Sequence, residues 1–180
     1  MQLLIYMDNS FFAYLQQLEL IGFFSGYPLL YAVTLFIAGN QIIKNKFNSR
    51  IVSLLPFAYA LVGTLYLGLQ LKNLYPHYSV ENLSLSIQHP WLTGWALLSV
   101  FFWIPFLAKK KVFSLLHSLV FFFLLVADLL TILMQHSLGA EAIRNDMKIY
   151  TGSLFLNFTA FAFVAFLFFI VNRFKKRINR

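Results

Sequence analysis

At 180 residues, 60% hydrophobic and only 11% charged, the chain has too little charge to clothe a water-facing surface of its size. That balance excludes a soluble domain, makes hydrocarbon the main solvent, and leaves no length for a separate soluble catalytic domain. The net charge of +8 is held in short basic clusters between apolar runs, the pattern of membrane-flanking charge, and this argues against nucleic acid as a partner. The chain has no cysteine, so disulfides, thiolate metal sites and thiol catalysis are excluded.

The amino terminus comes first. No Lys or Arg precedes Lys44, so the basic region of a cleavable signal peptide is missing and the first helix is expected to stay. Asp8, Asn9 and Ser10 offer cap chemistry before Phe11 to Phe24. In that stretch Phe11, Tyr14, Leu18 and Ile21 recur at helical spacing opposite Gln16, Gln17 and Glu19. Residues 1–27 therefore read as an amphipathic segment on the outer leaflet; an extra helix packed against the bundle fits the same pattern.

Five apolar runs follow, each near the roughly 20 residues that cross a hydrocarbon core. They are Pro28 to Ile43, Ile51 to Leu71, Trp91 to Ala108, Val112 to Met134 and Gly152 to Asn172. Pro28 suits the first turn of a helix, where a missing N–H costs nothing. Trp91 and Trp95 fall where indole rings favour a membrane interface. The segment after Met134 is expected to run into the fifth helix, because Ile143, Met147 and Tyr150 keep the helical period.

Lys44, Lys46 and Arg50 lie in the first turn, Lys109, Lys110 and Lys111 in the third, and five more basic residues in the tail at 173–180. Only Lys72, Arg144 and Lys148 lie on the other side. This asymmetry predicts an all-α bundle of five spans, amino terminus outside and carboxyl terminus cytoplasmic. A multi-pass protein of the cell membrane, of the bacterial inner-membrane kind, is the expected setting. No internal or inverted repeat is visible.

Polar residues inside the runs mark the candidate site. Asp128 is the one acid within a span, where a carboxylate is costly and calls for a partner or a function. His117, Phe121, Leu124, Asp128, Thr131 and Gln135 share a helix face. So do Tyr59, Gly63, Tyr66 and Gln70, then Tyr27, Tyr31, Thr34, Ala38 and Gln41, then Ser153, Asn157, Ala160 and Val164. These faces are expected to turn inward. By depth, Tyr31, Tyr66, Asp128 and Asn157, with Thr131 and Gln70, form a polar layer below the outer boundary, structural in one reading and an outward-facing pocket or proton site in another.

Weaker signals lead to no site. His77, His89 and His136, with Glu81, Glu141 and Asp146, share the outer face without ligand spacing, so no metal is expected. His117 reads as an interfacial histidine, and Ser114 beside it lacks a third orienting group. Only His117 could serve a haem, so no cofactor is expected. Asn82 to Ser84 matches a glycosylation acceptor. The expected role is a non-enzymatic subunit, scaffold or assembly factor whose partners are the lipid bilayer and other membrane proteins, met through helix faces or the outer cap. A small transporter or proton-coupled ligand-binding protein using the Asp128 layer, and a lipid-modifying enzyme, are the alternatives.

Overall fold

The computed structural model describes residues 2–38, 46–76, 87–134 and 140–178, with side chains described at 12–38, 50–76, 87–134, 143–175 and 177. Lys44, His77, Glu81, Asn82 to Ser84, Gln135, His136, Gln41 and Arg180 lie outside the described residues, as do the side chains of Asp8, Lys46, Glu141 and Lys176. Every described element is helical. In chain order they are α1 (Gln2–Phe24), α2 (Tyr27–Ala38), α3 (Lys46–Asn73), α4 (Pro90–Leu97), a 3₁₀ segment (Leu98–Trp103), α5 (Pro105–Lys109), α6 (Lys111–Met134) and α7 (Ala140–Ile178).

Four stretches are long and apolar enough to cross a membrane: Phe12–Ala38, Arg50–Asn73, Lys111–Met134 and Ile143–Lys175. Length and composition thus fit a multi-pass membrane protein. The third apolar run is different in kind. Instead of one continuous helix over 91–108, α4 tightens into the 3₁₀ segment and the chain turns extended at Ile104 (ψ 122°) before α5 begins. Pro105 explains the break, since its ring pushes the preceding residue out of the helical region and its own nitrogen has no proton to donate.

The first crossing also differs from expectation. The described side chains of the expected outer segment, 12–27, pack into the bundle, as the alternative reading of that pattern has it. Leu20, Ile21, Phe24 and Tyr27 are buried, and α1 packs on α7 and α6. Asp8 to Ser10 fall inside α1 rather than capping it, because the apolar residues before them carry the helix back to Gln2. The two faces do not divide as the spacing suggests: Ile21 is buried but Tyr14 is exposed with Phe12 and Leu15, while Gln16 is buried and Gln17 and Glu19 bond to other helices. A polar face can point inward where the bundle supplies its partners; lipid supplies none.

Between α1 and α2 the chain bends at Ser25 and Gly26. Pro28 falls in the first turn of α2, as its sequence position suggests, and cannot bond back to Phe24. Gly26 N–H donates instead to Ser153 Oγ of α7 (2.9 Å). A Cβ on Gly26 would come within 2.6 Å of the Leu154 backbone nitrogen, so only glycine permits this approach. Gly63 does the same for α3, where a Cβ would collide with Ser99 of the 3₁₀ segment.

The four expected inward faces are buried at Tyr27, Tyr31, Thr34 and Ala38, at Tyr59, Gly63 and Tyr66, at His117 and Phe121, and at Ser153, Asn157, Ala160 and Val164. Aromatic rings fill the centre. Phe24 stacks on Phe121 (centroids 4.7 Å) and meets Tyr59 and Tyr66 edge-on. α5 and α6 are joined through Lys110 alone, whose ammonium sits over the rings of Phe106 and Phe113. α7 runs 39 residues from Ala140, so the segment before Gly152 does continue the last helix.

Candidate functional site

Polar side chains inside the bundle gather at two stations. The first surrounds Asp128, about two turns before the end of α6. Gln17 Nε2, reaching from α1, donates to both carboxylate oxygens at 2.9 and 2.8 Å. Asp146, on the first turns of α7, is buried and within electrostatic reach of Asp128. Tyr14 lies within reach of both charges. Nearby, Gln70 Nε2 donates to Glu19 at a long 3.5 Å, while Gln16 Oε1 accepts the backbone N–H groups of Gln88 and His89 at 2.8 and 2.9 Å. All three described carboxylates therefore sit at one end of the bundle, the end where α4 begins.

The second station is built around His117. Its Nε2 lies 2.9 Å from the Trp95 carbonyl, which can only accept, so Nε2 carries the proton in the neutral ring. Nδ1 is then an acceptor, and Tyr59 Oη donates to it at 2.7 Å. Trp95 Nε1–H returns a bond to the His117 carbonyl (3.2 Å), and the two rings stack with centroids 4.7 Å apart and planes 8° from parallel. Alongside, Ser114 Oγ donates to the Lys111 carbonyl at 2.8 Å, which leaves Tyr27 Oη as donor to Ser114 Oγ, also at 2.8 Å. Both chains of hydrogen bonds terminate on backbone carbonyls, so their direction is fixed. They tie α2, α3, α4 and α6 together.

Of the residues expected to share one polar layer, none is hydrogen-bonded to another among the described residues. Asp128 pairs with Gln17 rather than with Tyr66 or Asn157. Asn157 Nδ2 donates to the carbonyls of Phe23 (2.9 Å) and Ser153 (2.8 Å), holding α7 to α1. Tyr66 Oη and Thr93 Oγ1 are neighbours without hydrogen-bond geometry and, with Asn157 Oδ1, are buried and unpaired among the described residues. Gln70 meets Glu19. Tyr31 packs on Tyr27, and Thr131 is exposed and bonds the Ala127 carbonyl of its own helix.

Four participants escape sequence reasoning. Gln17 and Gln16 look like the solvent side of a surface helix, although two amides within an apolar run are also the signature of an interhelical contact. His117 looks interfacial because Lys111 is close in sequence, yet it is buried and both ring nitrogens are used. Trp95, expected at the interface, is half-buried against it. Among the described residues no three His, Asp or Glu side chains converge on a metal position.

A third feature lies at the opposite end from the acids. A groove of about 1050 Å³ opens between the start of α3 and the end of α7, lined by Ile51, Leu54, Phe161 and Phe168 and rimmed by Arg50, Arg173 and Lys175. Compared with known proteins, the chain matches no family model, no curated sequence and no solved structure.

Proposed function

We propose that this chain is a non-enzymatic multi-pass membrane protein, a subunit, scaffold or assembly factor that acts through its helix faces. The observation that carries this reading is the Asp128–Gln17 pair. The costliest residue in the spans is spent on tying α6 to α1, and the sealed His117 station ties α6 to α2, α3 and α4 in the same way. α7 leaves Phe155, Phe158, Phe163 and Phe166 exposed over several turns, a face available to lipid or to the helix of a partner.

The same proposal includes five crossings, with the amino terminus outside and the carboxyl terminus in the cytoplasm of a bacterial inner membrane. Its support is the segmented third run, which descends antiparallel along α3. Ser99 abuts Gly63, Phe102 meets Tyr59 edge-on (5.6 Å) and Trp103 Nε1 donates to Thr64 Oγ1 (2.9 Å). At 1.5 Å per residue in α-helix and about 2.0 Å in 3₁₀, residues 90–109 reach roughly 30 Å, the thickness of the hydrocarbon core. Reporter fusions after Lys110 and Arg180 should read cytoplasm, and fusions after Tyr78 and Asn145 the exterior. An exterior signal after Lys110 removes the five-crossing arrangement.

Asp146 favours a second reading, because a buried carboxylate beside Asp128 is also the material of a proton or cation site in a small transporter. One pair of variants separates the two. Asp128→Asn retains an acceptor for Gln17, so a scaffold should keep both its melting temperature and its ability to complement a deletion strain. A proton site would leave the Asn variant folded and inactive, and that result counts against the scaffold.

A further inference from the structure

The groove at the basic end is used by neither polar station, and its chemistry is that of an amphiphile. Arg50 opens the span in α3, and Arg173 and Lys175 close the span in α7. Because α3 and α7 pack antiparallel, these three exposed cations meet on one rim. The described acids, Glu19, Asp128 and Asp146, are engaged at the other end of the bundle, so none of them neutralises this rim. Inside the rim the wall turns apolar at once, with Ile51 and Leu54 from α3 facing Phe161, Ala165 and Phe168 from α7. The volume of about 1050 Å³ is at the top of the ~300–1,000 Å³ range of small-molecule pockets.

We propose that this groove holds one phospholipid with a net-negative headgroup, its phosphate on Arg50, Arg173 and Lys175 and an acyl chain along the Phe161–Phe168 wall. Charge complementarity selects the headgroup. Guanidinium groups match phosphate oxygens in bidentate geometry, and basic pockets between membrane helices are a recurring headgroup site. The apolar wall selects a lipid over free phosphate, which would leave most of the groove empty. The site belongs to whichever leaflet meets the basic end, so it does not depend on the orientation proposed above.

The test uses the full chain in detergent, titrated with phosphatidylglycerol or phosphatidylcholine of identical acyl chains and followed by native mass spectrometry and thermal melting. The wild type should retain one phosphatidylglycerol and melt higher with it than with phosphatidylcholine, and inorganic phosphate should not reproduce the shift. Each basic side chain near a lipid surface favours an anionic headgroup about fivefold, so Arg50→Gln/Arg173→Gln/Lys175→Gln should weaken retention on the order of a hundredfold. Arg144→Gln/Lys148→Gln, which removes as-exposed cations from the other end, should change nothing. Ala165→Trp fills the groove without altering charge and should abolish retention on its own. Equal retention of the two lipids by the wild type overturns the proposal. So does undiminished retention in the triple variant or in Ala165→Trp, and so does a wild-type shift produced fully by inorganic phosphate.

Discussion

The Asp128 and His117 stations lie on the same helix, little more than three turns apart, and solve the problem of polar groups in hydrocarbon in opposite ways. Asp128 is half-exposed, carries charge chemistry, and depends on one amide from α1. His117 is buried, neutral in its hydrogen-bond logic, and closed at both nitrogens, by a carbonyl that can only accept and by the Tyr59 hydroxyl. The difference teaches that the residue most conspicuous in a membrane sequence need not be the one most tightly built in. A lone carboxylate attracts notice because it is costly to bury. A histidine, a tyrosine and a tryptophan cost little individually, and together they make the more specific contact.

The hinge at Gly26 serves both stations, because it sets Gln17 on one side and Tyr27 on the other. Gly26→Val should have the largest effect. Its branched Cβ meets Leu154 and Ser153 backbone atoms that cannot step aside, so α7 must separate from the bend at a cost of about 3 kcal/mol or more. Melting in detergent should fall sharply, and protease should cut within α7. A melt unchanged from wild type would mean that α7 is not seated at the bend.

His117→Phe breaks only the sealed station. The ring volume is kept, but Tyr59 Oη and the Trp95 carbonyl lose their partner. Interhelical hydrogen bonds in membranes average about 0.6 kcal/mol and reach about 1.7, so the loss should be roughly 1–3 kcal/mol. Tyr59→Phe should cost less, and adding it to His117→Phe should cost almost nothing more, because the bond is already gone. Additive losses in that cycle would deny that the two side chains act as a unit.

Gln17→Leu should be mildest, about 1 kcal/mol or less, since a half-exposed Asp128 can turn toward water. If it instead proves as costly as His117→Phe, the acidic end is as closed as the aromatic one and the contrast between them disappears.

Much of the architecture was legible from the residues alone. Apolar run length marks the crossings at residues 51–71, 112–134 and 152–172, and small or hydrogen-bonding residues at helical spacing mark the buried faces of all four long spans. Both follow from local rules, because lipid penalises any polar group that faces it and a helix repeats its faces every few residues. Pairing is a different matter. Spacing along one helix says that Asp128 and His117 point inward, but not that Gln17 or Trp95 waits there, since partners come from segments far away in sequence. Depth estimated by counting residues from each end placed Tyr66 and Asn157 beside Asp128; a count of turns carries no information on partners, and Asn157 bonds the Phe23 carbonyl while Gln17 takes Asp128. The polar face of α1 shows the same limit. Its residues announce a two-faced helix, and only the tertiary structure decides which face meets lipid, because the choice depends on whether the bundle offers Gln16, Gln17 and Glu19 the partners that hydrocarbon cannot.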